Sequence, residues 1–168
     1  MVFSTDILKM HMRERTLRAV YAGLIIAGLA TTFVALEGQK KLPRTNVTIR
    51  GHIISADVAS AEADMERGLA GRVKLGVNRG MLFVFDNAGI HGIWMKGMKF
   101  PIDIIWIADG GVVSIKEWAL PQPNVDDTDL KTFFPSTFDD YVLELPAGRV
   151  KAYGIEVGDT VTIATSTL

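Results

Sequence analysis

The chain contains no cysteine, and histidine is nearly as scarce. The absence of cysteine excludes disulfide bonds, thiolate metal sites and a cysteine nucleophile, although it does not settle the compartment. The three histidines are His11, His52 and His91, whereas a hydrolytic metal site needs three or four convergent His, Asp, Glu or Cys ligands. No HExxH, GxSxG or P-loop pattern occurs in the sequence. We therefore expect no metal site and no cofactor.

A large net charge of either sign is also missing. The formal net charge is −1, so the composition does not predict nucleic acid as a partner. The charge is unevenly distributed, because residues 1–46 carry 7 basic and 3 acidic groups whereas residues 47–168 carry 11 basic and 16 acidic groups. A basic N-terminal segment followed by an acidic domain is expected when the N-terminal segment lies near anionic membrane lipid.

One long apolar run, Ala19–Leu36, has 18 residues and no charged side chain. As a helix it would reach roughly 27 Å, close to the ~30 Å hydrocarbon core of a bilayer. It predicts a transmembrane helix after an N-terminal tail, residues 1–18. A cleaved signal peptide is the alternative, but Phe33 stands where such a signal would need a small residue.

The basic residues on the two flanks of this helix balance, so the positive-inside rule does not set its orientation. We infer the orientation from the short N-terminal tail instead. A short basic tail before a single span predicts a single-pass protein of the inner membrane, with its C-terminal domain on the periplasmic side. Small residues recur every four positions along the span, at Gly23, Ala27 and Thr31. Such a face allows close packing against other transmembrane subunits, although small residues are also simply common in membrane spans.

Beyond the span we expect a linker, residues 37–46, and a β-rich domain, residues 47–168. The alternating run Val47–Ile54 predicts a strand. The segment that follows, residues 55–72, predicts a helix, because Val58, Ala61, Met65 and Leu69 have helical spacing. Short strands and one or two short helices place the domain in the mainly β (α+β) class, as a small β-barrel-like fold.

Two short apolar runs, residues 80–85 and 101–107, are predicted to be adjacent central strands with Phe83, Phe85, Ile102 and Ile104 buried. A tight hairpin turn is predicted at residues 109–111. The end of the chain predicts a strand, a short helix that ends at Gly154, and a final strand.

Several motifs in this domain closely resemble those of one family, the domain of unknown function 192 (DUF192). They are Gly-Leu-x-x-Arg at Gly68, Leu69 and Arg72; the strand Gly80–Phe85; Trp-Met-Lys at Trp94–Lys96; Pro-x-Asp-Ile at Pro101, Asp103 and Ile104; and Leu143–Gly148. The resemblance covers roughly residues 47–163. Members often have Asn-Thr after Trp-Met-Lys, where this chain has Gly97-Met98. The resemblance implies a small β-rich fold, often exported or membrane-tethered, and no assigned activity.

The segment Ile90–Ile107 carries the candidate functional residues. We predict a strand, a turn at Gly97 and a second strand that begins near Pro101. Within the second strand, Asp103 is a carboxylate in an apolar run, which predicts a buried structural ion pair with Arg72 or Lys96. The alternative is a ligand or partner surface, whose candidate residues are Trp94, Lys96, Lys99, Asp103 and His91.

Three functions remain open on the sequence. The first is a membrane-anchored, non-catalytic domain that acts as an accessory subunit or interaction module of an inner-membrane complex. The second is an envelope module that binds a glycan or another small polar molecule, which a pocket beside Trp94 would favour. The third is a glycan-acting hydrolase, which would need Asp103 and Glu144 to face each other across a cleft.

Overall fold

The computed structural model describes residues 41–164. Nine strands and two short helices follow one another along this part of the chain. The strands are β1 (Arg44–Ile49), β2 (His52–Ala59), β3 (Arg79–Gly89), β4 (Ile93–Trp94), β5 (Ile102–Ala108), β6 (Gly111–Ala119), β7 (Thr132–Phe133), β8 (Asp139–Pro146) and β9 (Val161–Ile163). The helices are α1 (Glu62–Arg67) and α2 (Arg149–Tyr153), and Asp127–Asp129 forms one 3-10 turn.

Seven strands form one curled sheet in the order β6-β5-β8-β3-β2-β1-β9, and β4 and β7 form a separate pair. The two edges of the large sheet meet at one end, where Gly111 bridges to Thr160 and the Val112 amide donates to the Asp159 carbonyl at 2.9 Å. The domain is therefore mainly β, a half-barrel with few helices. The predicted β-rich class is confirmed, and the barrel is closed only in part.

The two faces of the large sheet carry separate clusters of buried side chains, because successive residues of a strand point to opposite sides. One cluster includes Leu143, Leu145 and the α2 residue Val150, and we call this side the α2 face. The other includes Met81, Phe83 and Val142 and extends beneath α1, and we call this side the pocket face. The central strands are therefore buried on both faces, which explains their nearly continuous apolar sequences.

The N-terminal part of the domain differs from the sequence prediction. The run read as one strand is a hairpin, because the chain turns at Arg50 and Gly51, which both have positive φ. β1 begins at Arg44, inside the predicted linker, and β2 continues to Ala59. Only Glu62–Arg67 of the predicted helix is helical. The apolar spacing that suggested a longer helix comes partly from Val58, which lies in a strand and pairs with β3.

The predicted adjacency of the two central strands is wrong, because β8 lies between β3 and β5 and pairs antiparallel with both. Their predicted burial is confirmed for Phe83, Ile102 and Ile104, whereas Phe85 is partly exposed. The predicted turns are confirmed at Asp109 and Gly110, which join β5 to β6, and at Gly154, where α2 ends.

Residues 1–40 carry the predicted tail, the apolar span and the small-residue positions Gly23, Ala27 and Thr31, all of which lie outside the described residues. Within residues 41–164, neither helix has the length and apolar character that crossing a bilayer requires.

Asp103 is fully buried on the α2 face, and its partners are not the predicted basic side chains. One carboxylate oxygen accepts from the backbone amide of Val150 at 2.9 Å, and the other accepts from that of Trp118 at 3.0 Å. The first amide lies in the opening turn of α2, where no helical carbonyl can accept from it. The second belongs to a bulge residue of β6 with φ 51, outside the regular ladder with β5. Asp103 therefore fixes α2 and the bulge at once.

We predict that Asp103→Asn lowers the free energy of unfolding by about 2–3 kcal/mol, because an amide supplies one neutral acceptor where two charge-assisted hydrogen bonds are made. Urea unfolding of the full-length protein measures this. The matched control is Asp126→Asn, at an exposed position whose side chain makes no cap hydrogen bond. Equal stability of the two variants would contradict the role given to Asp103.

Candidate functional site

The site is built by the connection between β2 and β3, which run parallel. A parallel pair cannot be joined by a tight turn, so the chain must cross over one face of the sheet before it returns. This crossover, residues 60–78, carries α1 and the turn that follows it. Gly68 ends α1 with φ 48, and a side chain there would meet the Phe83 ring at 3.3 Å. The glycine therefore lets the crossover lie close to the pocket face.

A second segment, Trp94–Met98, forms the other wall of the site. It is joined to the crossover by a hydrogen bond from the Gly71 amide to the Gly97 carbonyl at 3.0 Å. Gly97 has φ 65 and lies against Ala70, as expected of the predicted turn. The start of this segment is fixed by the pairing of β4 with β7. Gly92, just before β4, allows the close approach of Phe134 and Thr132.

Between these walls and the sheet lies a pocket of about 320 Å³. Its walls are mostly apolar, and charged groups stand among them. The apolar side chains of the lining are those of Met65, Leu69, Ala70, Phe83, Phe85, Ile93, Trp94 and Met98, and the charged ones are those of Glu62, Glu66, Arg67, Lys96 and Glu144. A concave, mainly apolar site with a few polar groups is typical of small-molecule binding.

Glu144 reaches the pocket from β8, at the middle of the sheet. Its neighbours in the register are Met81 on β3 and Ile104 on β5, both fully buried. The side chain of Glu144 is itself buried, and its Oε2 atom has no hydrogen-bond partner among the described residues. Burial raises the pKa of Glu144 to about 8, and the charge of Arg72 opposes this rise only in part. At neutral pH Glu144 is therefore mainly a neutral carboxylic acid.

The two cations at the rim already have partners. Lys96 Nζ lies 2.7 Å from Asp127, and this hydrogen bond, together with the charge of Asp127, raises the pKa of Lys96. Arg67 pairs with Asp64 on its own helix. Lys96 Nζ also lies 5.4 Å from the centre of the Trp94 ring, in the arrangement of a cation–π contact.

Arg72, the residue predicted to pair with Asp103, pairs instead with Asp57 at 2.8 Å. Asp57 also binds Arg44 at 2.7 Å and Arg79 at 2.6 Å. Burial acts to raise the pKa of Asp57, but the hydrogen bonds from Arg44 and Arg72 and the charges of Arg79 and Arg72 outweigh it and lower the pKa. Asp57 thus joins β1, the crossover and the start of β3.

His91 lies behind the pocket rather than in it. Its ring stacks on that of Phe85, with centroids 3.5 Å apart, and its Nδ1 lies 2.9 Å from the buried carboxylate of Asp139. Its backbone carbonyl accepts from Trp106 Nε1 at 2.8 Å. Burial raises the pKa of Asp139, although the backbone and side-chain hydrogen bonds to His91 oppose this. These contacts hold Phe85 in the pocket wall.

The structure thus brings two of the five candidate surface residues, Trp94 and Lys96, into one pocket. Lys99 is exposed and does not line it, and Asp103 lies on the opposite face of the sheet. Asp103 pairs with Leu145 in the register, whereas Glu144 pairs with Ile104, so the two carboxyl groups leave the sheet in opposite directions. They cannot act together as the acid–base pair that the hydrolase hypothesis required.

Sequence reasoning missed Glu144 as a site residue in its own right, and it missed the contribution of α1. The available signal was the run Val142–Leu145, in which a single carboxylate interrupts an otherwise apolar stretch. Within residues 41–164, no group of three His, Cys, Asp or Glu side chains is placed to hold a metal ion.

Comparison with known proteins identifies a family but no activity. The DUF192 family, described as "Uncharacterized ACR", matches residues 45–163. A crystal structure of a proposed transcription regulator from Sinorhizobium meliloti 1021 is 30% identical, with a TM-score of 0.67 over 75% of this chain and 98% of that one. A protein of unknown function from Novosphingobium aromaticivorans is 28% identical, with a TM-score of 0.63 over 76% and 88%. No curated protein matches the chain.

The burial of Glu144 predicts a specific dependence of stability on pH. Its pKa is about 8 in the folded protein and near the ordinary 4.5 in the unfolded chain, so the folded state binds the proton more tightly. The stabilisation from this proton is complete below pH ~4.5 and is lost as the pH rises towards 8, by about 1.4 kcal/mol per pH unit and roughly 3–5 kcal/mol in all.

This prediction is tested by the difference in unfolding free energy between the wild-type protein and Glu144→Gln, measured by urea unfolding from pH 5 to pH 9. The difference should shift in favour of the variant as the pH rises and level off above about pH 8. The same series with Glu117→Gln, at an exposed position on β6, should show no such trend. Parallel curves for wild type and Glu144→Gln would show that Glu144 is not buried as described.

Proposed function

This chain belongs to the uncharacterised DUF192 family, and we propose that it is a membrane-anchored, non-catalytic binding domain whose pocket takes one small molecule. The observation that carries this proposal is the pocket beside Trp94, with Glu144 as the polar group at its buried end. A pocket beside Trp94 is the feature that favours a ligand-binding module over the other two functions.

The chemistry of the lining supports binding of a small ligand with an apolar body. Eight apolar side chains surround the pocket, so a ligand gains affinity mainly by burying carbon surface. One carboxyl group with a free oxygen then fixes the orientation of the ligand, since a buried polar atom left without a partner disfavours any pose that does not satisfy it. A large sugar polymer is a poor fit, because a volume of about 320 Å³ is at the small end of ligand sites.

The membrane anchor is part of the same proposal. It is supported by the uncharged run Ala19–Leu36 and by the excess of basic groups in residues 1–46. In this arrangement the domain lies on the periplasmic side of the inner membrane.

A second candidate is an accessory subunit that binds another protein, and the exposed aromatic residues favour it. Trp94 is 41% exposed and Phe134 is 61% exposed, on the paired strand β4 and just after β7. Rigid aromatic side chains at a surface are typical of binding hot spots. Nucleic acid is a less suitable partner, because residues 47–168 carry 16 acidic against 11 basic groups and phosphate would be repelled.

We predict that Met98→Trp, which places an indole in the pocket, weakens the binding of single-ring fragments at least tenfold. Saturation-transfer NMR on full-length protein, with fragments that each carry one alcohol, amine, amide or carboxylate group, measures this. The matched control is Val157→Trp, at a position 62% exposed that does not line the pocket. Binding that is absent from the wild type, or that survives Met98→Trp, would count against the proposed function.

We also predict that the mature protein retains residues 19–36. N-terminal sequencing of the protein from the membrane fraction should give a start at or near Met1, because Phe33 stands where a cut after Ala35 would need a small residue. A mature N-terminus after Leu36, with the protein in the soluble fraction, would overturn the anchor. That result would leave the proposal for the pocket unaffected.

A further inference from the structure

We propose that the ligand of this pocket is a small amphiphilic amine, whose ammonium group pairs with Glu144 while its apolar body fills the space beneath α1. This inference rests on the proposed function, because it names the chemical class of the ligand for the same site. Three observations carry it, namely the charges at the rim, the buried carboxyl group of Glu144 in the lining and the shape of the apolar walls.

The rim of the pocket is acidic once its ion pairs are taken into account. Glu62 and Glu66 line the pocket from α1, and neither makes a salt bridge within residues 41–164. The two cations among the lining residues, Arg67 and Lys96, are each bound to a carboxylate outside the lining. The uncompensated charge at the mouth is therefore negative, which attracts a cation and repels an anion.

The floor of the pocket offers an acceptor that an ammonium group would satisfy. Glu144 Oε2 is buried and has no partner among the described residues. The groups packed beside it from β3 and β5 are Met81 and Ile104, which have no charge. The nearby cation is Arg72, and its guanidinium is bound to Asp57 at 2.8 Å rather than to Glu144.

An ammonium group fits this floor better than a neutral or anionic group does. It supplies three donors and a charge, and a charge-assisted hydrogen bond in a water-poor site is about twice as strong as a neutral one. A neutral acceptor would gain a single bond from the protonated carboxyl group. An anion would have to pass Glu62 and Glu66 and then lie against a carboxyl group that must stay protonated.

The walls define the apolar part of the ligand. Phe83 and Phe85 project from β3, Met65 and Leu69 come from the crossover, and Met98 closes the opposite side. The volume of about 320 Å³ suits one ring with a short chain rather than a long lipid. Methionine side chains adapt their shape to a ligand, so the pocket selects by size and charge more than by an exact outline.

Binding of the amine is accompanied by the loss of one proton. At neutral pH the Glu144 carboxyl group is protonated, since burial raises its pKa to about 8, and the amine arrives as ammonium, with a pKa near 10. Formation of the ion pair transfers the carboxyl proton to solvent. The other ionisable groups that face the site are Glu62, Glu66, Arg67 and Lys96 in the lining and Arg72 close to Glu144. The affinity should therefore rise with pH up to about pH 8.

The test compares three probes of nearly equal shape, 2-phenylethylamine, 2-phenylethanol and phenylacetate. Isothermal titration is carried out with the full-length protein in nanodiscs of zwitterionic lipid, and the heat of titration into empty nanodiscs is subtracted. The wild-type protein should bind the amine at least tenfold more tightly than either other probe. Its affinity for the amine should rise up to tenfold per unit between pH 6 and pH 8, and titrations in two buffers of different ionisation enthalpy should show close to one proton released at pH 7.

Two variants complete the experiment. Glu144→Gln should lose most of the preference for the amine and all of the proton release, whereas Glu117→Gln, on an exposed part of β6, should behave as wild type. The pH series and the proton count use wild-type protein, so they remain decisive even if Glu144→Gln folds poorly. Tighter binding of the alcohol or the acid, or no proton release, would overturn the amine while leaving a ligand pocket in place. Binding of none of the three at millimolar concentration would overturn both.

Discussion

The parallel pairing of β2 with β3 is the constraint on which the pocket depends. Antiparallel neighbours can be joined by a turn of two residues, as at Asp109 and Gly110, but parallel neighbours require a crossover. Here the crossover carries α1 over the pocket face and returns through a turn whose Arg72 binds Asp57 on β2. Asp57 also binds Arg79 at the start of β3, so one buried carboxylate on β2 fixes both the turn that follows α1 and the start of the next strand.

The middle of the sheet contains an ionisable side chain in a buried position, because β8 is buried on both faces and yet carries Glu144. An ionised carboxylate at that position, without a paired cation, would carry a large desolvation cost. The protein avoids much of that cost by keeping the carboxyl group protonated, as its raised pKa indicates. The same residue that weakens the core as the pH rises therefore provides the polar group of the pocket, which is the usual conflict between stability and function at a binding site.

Local features of this fold could be predicted from sequence, whereas long-range ones could not. The Asp109-Gly110 turn, the end of α2 at Gly154 and the burial of Ile104 follow from local conformational preference or from a short apolar run. The insertion of β8 between β3 and β5 depends on pairing between residues 34 to 63 positions apart, and no local pattern specifies it. Asp103 was correctly predicted to be buried, but its predicted basic partner was wrong. Its partners are the backbone amides of Trp118 and Val150, and these cannot be recognised from the sequence because every residue except proline has a backbone amide.

In the candidate site, too, some residues could be predicted from the local sequence and others only from the long-range pairing of strands. Trp94 and Lys96 are conspicuous in sequence because both lie in a short polar and aromatic turn, and they do reach the pocket. Glu144 is less conspicuous, because one charged residue in a strand is normally assigned to a solvent-facing position. The register reverses that assignment, since Glu144 lies between Met81 and Ile104 on a face that α1 covers. A polar residue that violates the pattern of a strand buried on both faces is thus the most informative single signal for function in this sequence, because a core position tolerates it only at a cost that some other role must offset.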